Sequence, residues 1–173
     1  MEILFKEEKS MALIGIIANK KDVQLIKKEI KSRDIEIIEI TENAIANLKN
    51  IKFDEIIFMK DIKLMESTYK YMNEIISKVK YLIINSDIQI KVLQEANIKN
   101  LVKLITFGFN TKATITISSI KDDKIIICVQ RNIEKNQNNF IEVQEKEITI
   151  LDSNNNKVYN NLIVFIIKEL HNL

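Results

Sequence analysis

From Met11 to Phe107 the chain alternates short apolar runs with stretches of helical spacing, and this rhythm constrains the fold more than any other feature. Met11–Ala18 (MALIGIIA) has no polar position, as a strand covered on both faces of a parallel sheet requires. Lys20–Lys31 reads as a helix, with Val23, Ile26 and Ile30 on one face. Ile35–Ile40 is a second strand, and Thr41 stands where it would cap a short helix carrying Ile45 and Leu48. Asp54–Met59 is a third strand. Ile62–Val79 follows as the longest helix, with a stripe of Ile62, Met65, Tyr69, Met72, Ile76 and Val79. That stripe is too short for a convincing coiled coil and reads as a helix packed on a sheet. Tyr81–Ile84 is a fourth strand. Ser86 or Asp87 would cap a helix carrying Ile90, Leu93 and Ala96, and Leu101–Phe107 is a fifth strand. Strict alternation of this kind predicts an α/β fold: a Rossmann-like, mostly parallel, doubly wound sheet.

After Gly108 the pattern changes. Ala113–Ile120 alternates with period two, 121–124 is a turn, and Ile125–Gln130 returns. A polar loop is expected over Asn132–Asn139, one or two strands over Phe140–Leu151, a turn at Asp152–Asn156 and a helix from Val158 to Leu170. The expected organisation is a Rossmann-like core over 1–110, then an antiparallel β extension with a terminal helix over 111–173. No Pro-rich or Gly/Ser-rich linker divides them, so they are expected to pack as one body.

Charge and residue usage exclude several functions. Lysine and arginine number 26 against 24 acidic residues, which leaves no basic footprint for nucleic acid. Aromatic residues are 6% and Trp is absent, which disfavours stacking platforms. No apolar run reaches the length of a membrane span, and the charged opening MEILFKEEKS argues against a secretory leader; the expected location is the cytoplasm. One Cys and one His cannot build a zinc site of the usual N/S type. Cys128 with His171 could be drawn as a nucleophile and base, but Cys128 lies in an apolar strand and His171 in an end expected to fray. Asp122-Asp123 reads as a solvated hairpin tip.

In a parallel α/β sheet, ligands bind beyond the carboxyl ends of the strands. Asn19, Lys60, Asp61, Asn85, Asp87, Thr106 and Asn110 fall there. The first such turn, Ala18-Asn19-Lys20-Lys21-Asp22, has no glycine, and Asp22 would repel a phosphate. Lys20 or Lys21 could still meet an anion.

Several of these residues resemble the central, ATP-binding domain of the Mur ligases, which add amino acids to UDP-N-acetylmuramyl precursors of peptidoglycan. Asn85-Ser86-Asp87 matches the family's Asn-x-Asp turn, Thr106-Phe107-Gly108 its Thr-(Phe/Tyr)-Gly turn, and Ala113 the residue that leads into its small antiparallel sheet. Val158-Tyr159-Asn160-Asn161-Leu162-Ile163 looks like a worn version of the family's closing His-Asn helix. Leu13-Ile14-Gly15-Ile16 is similar to the strand that feeds its phosphate loop, with Asn19 and Lys21 as remnants of that loop. The departures are specific. Both loop glycines are missing, Asp22 stands where the family has a magnesium-holding Thr, and Lys60 stands where it has a metal-binding Glu. No stretch matches the family's UDP-binding or ligase domains.

The resemblance therefore implies a degenerate, non-catalytic relative acting as a binding or assembly module in a cell-envelope or related pathway. The resemblance implies no firm cofactor; a weakly held ATP, or a UDP-sugar, is the ligand it leaves open. Asn19, Lys21, Asn85, Asp87, Thr106 and Gly108 are the candidate binding residues, and no catalytic or metal-binding residue is expected. Two alternatives stand beside it. One is a small ligase-like enzyme with a relocated site at Lys21, Lys60, Asp61 and Asn85. The other is a structural protein that pairs with a second copy or another protein through Ile62–Val79 or an edge strand.

Overall fold

The computed structural model describes residues 11–94, 96, 98, 101–136, 139–150 and 158–173. Its centre is an eight-stranded sheet with the order β10-β7-β6-β5-β4-β3-β1-β2. The members are β1 (Ala12–Ile17), β2 (Ile35–Glu39), β3 (Glu55–Phe58), β4 (Tyr81–Asn85), β5 (Lys103–Gly108), β6 (Ile115–Lys121), β7 (Lys124–Val129) and β10 (Gln144–Thr149). From β2 across to β6 every neighbouring pair is parallel. β7 pairs antiparallel with both β6 and β10. The parallel α/β sheet with an antiparallel extension is thus the architecture that the apolar runs predicted.

Helices cover both faces. α1 (Lys20–Glu29) and the terminal α4 (Val158–His171) bury Val23, Ile26, Leu162, Ile163 and Ile166 with Ile14, Ile16, Ile57, Ile83 and Ile105 on one face. On the other, α2 (Ile45–Leu48) and α3 (Glu66–Ile76) bury Ile45, Met72, Ile75 and Ile76 with Ile56, Phe58 and Leu82. The helical spacing of the sequence is satisfied inside the molecule: Ile62, Met72, Ile76 and Val79 are all buried. Four of the six stripe residues are thus spent on the sheet, while Met65 is exposed and Tyr69 half-buried. No helix among the described residues is long and apolar enough to cross a membrane.

Several expected boundaries move. α3 begins at Glu66 and not at Ile62, with Met65 as its extended N-cap. Ala44, not Thr41, is the N-cap of α2, and no side chain caps it. After Asp87, where a full helix was expected, the described residues hold a 3-10 turn at Lys91–Leu93. The polar stretch 132–139, expected as a loop, holds most of a hairpin, β8 (Ile133–Asn136) with β9 (Asn139–Ile141), which buries Ile133 and Ile141. The turn expected at Asp152–Asn156 lies outside the described residues.

β5 and β6 are parallel yet joined by a short loop, where parallel neighbours ordinarily need a crossover of a dozen residues or more. The geometry permits it because the two strands overlap only at Phe107↔Ile115 and Gly108↔Thr116. β6 takes over where β5 stops. A reciprocal clasp holds the junction: the Thr106 N–H donates to Thr114 Oγ1 at 3.3 Å, and the Thr114 N–H donates to Thr106 Oγ1 at 2.9 Å.

The last helix docks by polar contacts as well as apolar ones. His171, expected to fray, places Nε2 2.8 Å from Oε1 of Glu55, a carboxylate 1% exposed on β3. The same base of the sheet holds Tyr81, whose hydroxyl donates to the carbonyls of Lys135 (2.6 Å) and Glu134 (2.9 Å). Lys135 Nζ donates to Asn172 Oδ1 at 2.6 Å, just beyond the end of α4.

Candidate functional site

β1 sits between β2 and β3, and the chain leaves it in opposite directions, so the carboxyl ends of β1 and β3 form a topological switch point. A crevice of about 750 Å³ opens there, within the usual size of small-molecule sites. Its floor and near side come from Ala18, Asn19, Lys21 and Asp22 after β1, Met59 and Lys60 after β3, and Asn85 at the end of β4. Its far wall is Ile88, Phe109, Tyr159 and Asn160. A second crevice of about 420 Å³ adjoins it on the β2 side, shares Ala18 and Lys60 with it, and contains Asp61.

The Asn-x-Asp turn works as a bracket. Asn85 Oδ1 accepts from the Asp87 N–H at 3.0 Å, which turns the chain sharply after β4. The Asp87 carboxylate then accepts from the N–H groups of Phe109 (2.6 Å) and Asn110 (2.8 Å) and from the Tyr159 hydroxyl (3.0 Å). Gly108 is required at this point. Its φ is +145°, and a Cβ there would lie 2.7 Å from Cγ and 2.8 Å from Oδ1 of Asp87. The turn-forming residues of the sequence thus hold the β5–β6 loop against α4 and set Phe109 edge-on to Tyr159, with ring centroids 5.6 Å apart. Asp87 was expected to cap a helix and instead satisfies a loop.

The six candidate residues fall into two groups. Asn19, Lys21 and Asn85 line the crevice directly. Asp87, Thr106 and Gly108 do not line it; they build the wall behind Phe109 and the junction between β5 and β6. Of the alternative set, Lys21, Lys60 and Asn85 share the crevice, while Asp61 lies in the adjoining one and accepts from the Lys91 N–H at 3.0 Å. Those four side chains do not converge on one point. His171 is engaged with Glu55, which removes the basis for a pairing with Cys128. Among the described residues no group of three or more His, Cys, Asp or Glu side chains is placed to hold a metal ion.

Tyr159, Asn160, Phe109 and Ile88 were not singled out from the sequence as site residues. Only Tyr159-Asn160 carried a signal, as part of the worn helix start. Burial, and then the hydrogen bond to the Asp87 carboxylate, push the Tyr159 hydroxyl up to about 12. An unfolded tyrosine titrates near 10. The folded protein therefore holds this proton more tightly, and the stability this confers is complete below about pH 10 and is lost as pH rises toward 12. In a titration followed at 295 nm, the Tyr159 phenolate is expected to form with a midpoint near pH 12, or on unfolding. A Tyr159→Phe variant that leaves the high-pH step unchanged would contradict this.

No protein-family model matches the chain, and no curated protein matches it. Among solved structures it is similar to a MurF ligase from Thermotoga maritima in complex with ADP. The TM-score is 0.53 at 10% sequence identity, over 92% of this chain and 45% of that one. The chain thus spans less than half the length of that ligase, and the likeness is one of fold: a Mur ligase-like α/β sheet.

Proposed function

We propose that this protein is a non-catalytic relative of the Mur ligase central domain, a binding or assembly module with a nucleotide or nucleotide-sugar pocket at the switch point. The observation that carries the reading is the crevice itself. It combines an apolar and aromatic wall (Ile88, Phe109, Tyr159) with lysines at its rim (Lys21, Lys60), a pairing suited to a flat ring with polar appendages. The MurF ligase of similar fold was solved with ADP, which supports a nucleotide as the first ligand to try.

The non-catalytic half rests on the β1–α1 turn. Phosphate loops turn several backbone N–H groups toward the anion and need glycine to do so. Here Asn19 is an ordinary extended N-cap (φ −74°, ψ 145°), and its carbonyl takes the N–H groups of Asp22 and Val23 as any first helical turn does. The Asp22 carboxylate projects into the same space. Calorimetric titration with ATP–magnesium and with UDP-muramyl precursors tests the reading. Binding heat without phosphate release is the expected result, and steady ATP turnover by the purified protein would sink the non-catalytic half.

A further inference from the structure

The floor of the crevice carries an anion of the protein's own. Asp22 stands in the first turn of α1, where the N-terminal end of the helix dipole favours negative charge. Its carboxylate accepts from Nδ2 of Asn160 at 2.9 Å and from Nδ2 of Asn19 at 3.2 Å. In a parallel α/β sheet this is where a bound phosphate meets its donors. The amide donors here, Asn19 from the floor and Asn160 from the far wall, are already engaged by this side chain.

Asn160 gives an independent indication. It is 1% exposed, lines the crevice, and its Oδ1 is buried without a hydrogen-bond partner. An ionised carboxylate only accepts, so Asp22 fixes the Asn160 amide with Nδ2 toward itself and Oδ1 as a remaining acceptor. The Met59 carbonyl nearby accepts a long bond, 3.4 Å, from Asn85 Nδ2. The floor therefore presents the Asp22 carboxylate, with an unsatisfied amide oxygen just beneath the surface that a ligand N–H reaches by a small shift of the Asn160 side chain, while a phosphate would meet like charge. Lys21 and Lys60 do not reverse this. Both are exposed, where solvent and salt screen them, and Lys60 Nζ faces Asn19 Oδ1 at 3.4 Å.

We infer that Asp22 is an internal stand-in for phosphate: the crevice takes a nucleoside or a similar flat, amino-bearing ring and keeps a phosphate chain away from the α1 turn. The choice of ring rests on the nucleotide-binding reading above; the exclusion of phosphate does not.

Adenosine, ATP and inorganic tripolyphosphate are to be titrated by calorimetry into the full chain and into Asp22→Asn, with thermal unfolding recorded for both. The unaltered protein should bind adenosine at least as tightly as ATP and should not bind tripolyphosphate. Asp22→Asn should bind ATP about tenfold tighter or more, since a like charge beside the phosphate chain is removed, and should gain tripolyphosphate binding. Equal tripolyphosphate affinity in the two proteins overturns the stand-in. Gain of tripolyphosphate binding with no adenosine binding to either protein upholds the stand-in and overturns the choice of ring, and the nucleotide reading with it. Should Asp22→Asn fail to unfold cooperatively, Asp22→Ser makes the same comparison.

Discussion

Replacing His171 with alanine is expected to lower the unfolding free energy by about 3 kcal/mol. Glu55 lies on a central strand, hydrogen-bonded in register between Ile14 and Tyr81, and is 1% exposed. Its Oε1 meets His171 Nε2 at 2.8 Å, and its Oε2 has no partner among the described residues. Removing the imidazole strands a buried carboxylate with neither oxygen satisfied. Burying a charge is tolerable only when it is paired. For a domain of this size the loss corresponds to roughly 6–12 °C in melting temperature. The companion variant separates pairing from packing. Glu55→Leu combined with His171→Ala should recover most of the stability, because an apolar group in place of a buried pair is often neutral or better. A double variant as unstable as His171→Ala would show that the imidazole acts through packing alone. Denaturant unfolding of the three proteins decides it.

Gly108→Ala is expected to cost about 3 kcal/mol and to open the crevice wall as well. Two effects add. A φ of +145° is a backbone conformation that side-chain-bearing residues rarely adopt, and the new Cβ would press on the Asp87 carboxylate. Asp87 cannot move away without releasing the Phe109 and Asn110 N–H groups and the Tyr159 hydroxyl together. The Phe109–Tyr159 edge contact then goes too. Asp87→Ala removes the same three bonds without straining the backbone and should cost about 2 kcal/mol, since hydrogen bonds to a charged group are the stronger kind but Phe109 and Asn110 are exposed to water. Both variants should also weaken whatever binds the crevice. A Gly108→Ala protein with unchanged melting and unchanged Tyr159 titration would refute this account of the bracket.

Much of the fold was legible because its rules are local. Runs such as Met11–Ala18 and Tyr81–Ile84 can be satisfied only by burial on both faces, and α1 follows from the spacing of Val23 and Ile26. Where sequence reading failed, the deciding contact was distant. The hairpin at Ile133–Ile141 looks polar, yet its backbone carbonyls meet Tyr81 far back in the chain. A helix was expected after Asp87 because Asp is a good cap, but Asp87 found better donors more than twenty residues on. Glu55 was a signal passed over: a charged residue inside an apolar strand asks for a partner, and the sequence offers a single histidine.

The candidate site divides along the same line. The sequence by itself determined that this is a parallel α/β sheet, that a crevice is to be sought beyond the carboxyl ends of its strands, and that the turn after β1 has no glycine and carries an aspartate. Periodicity and residue type at a turn are properties of neighbouring residues; that β1 and β3 flank the crevice follows from the sheet order, which the tertiary structure set. Only the tertiary structure decided that α4 closes the crevice, that Asn160 engages Asp22 across 138 positions of sequence, and that Asp87 is spent on a loop. Those contacts depend on packing α4 against α1 and β5, and no local pattern encodes where a terminal helix comes to rest.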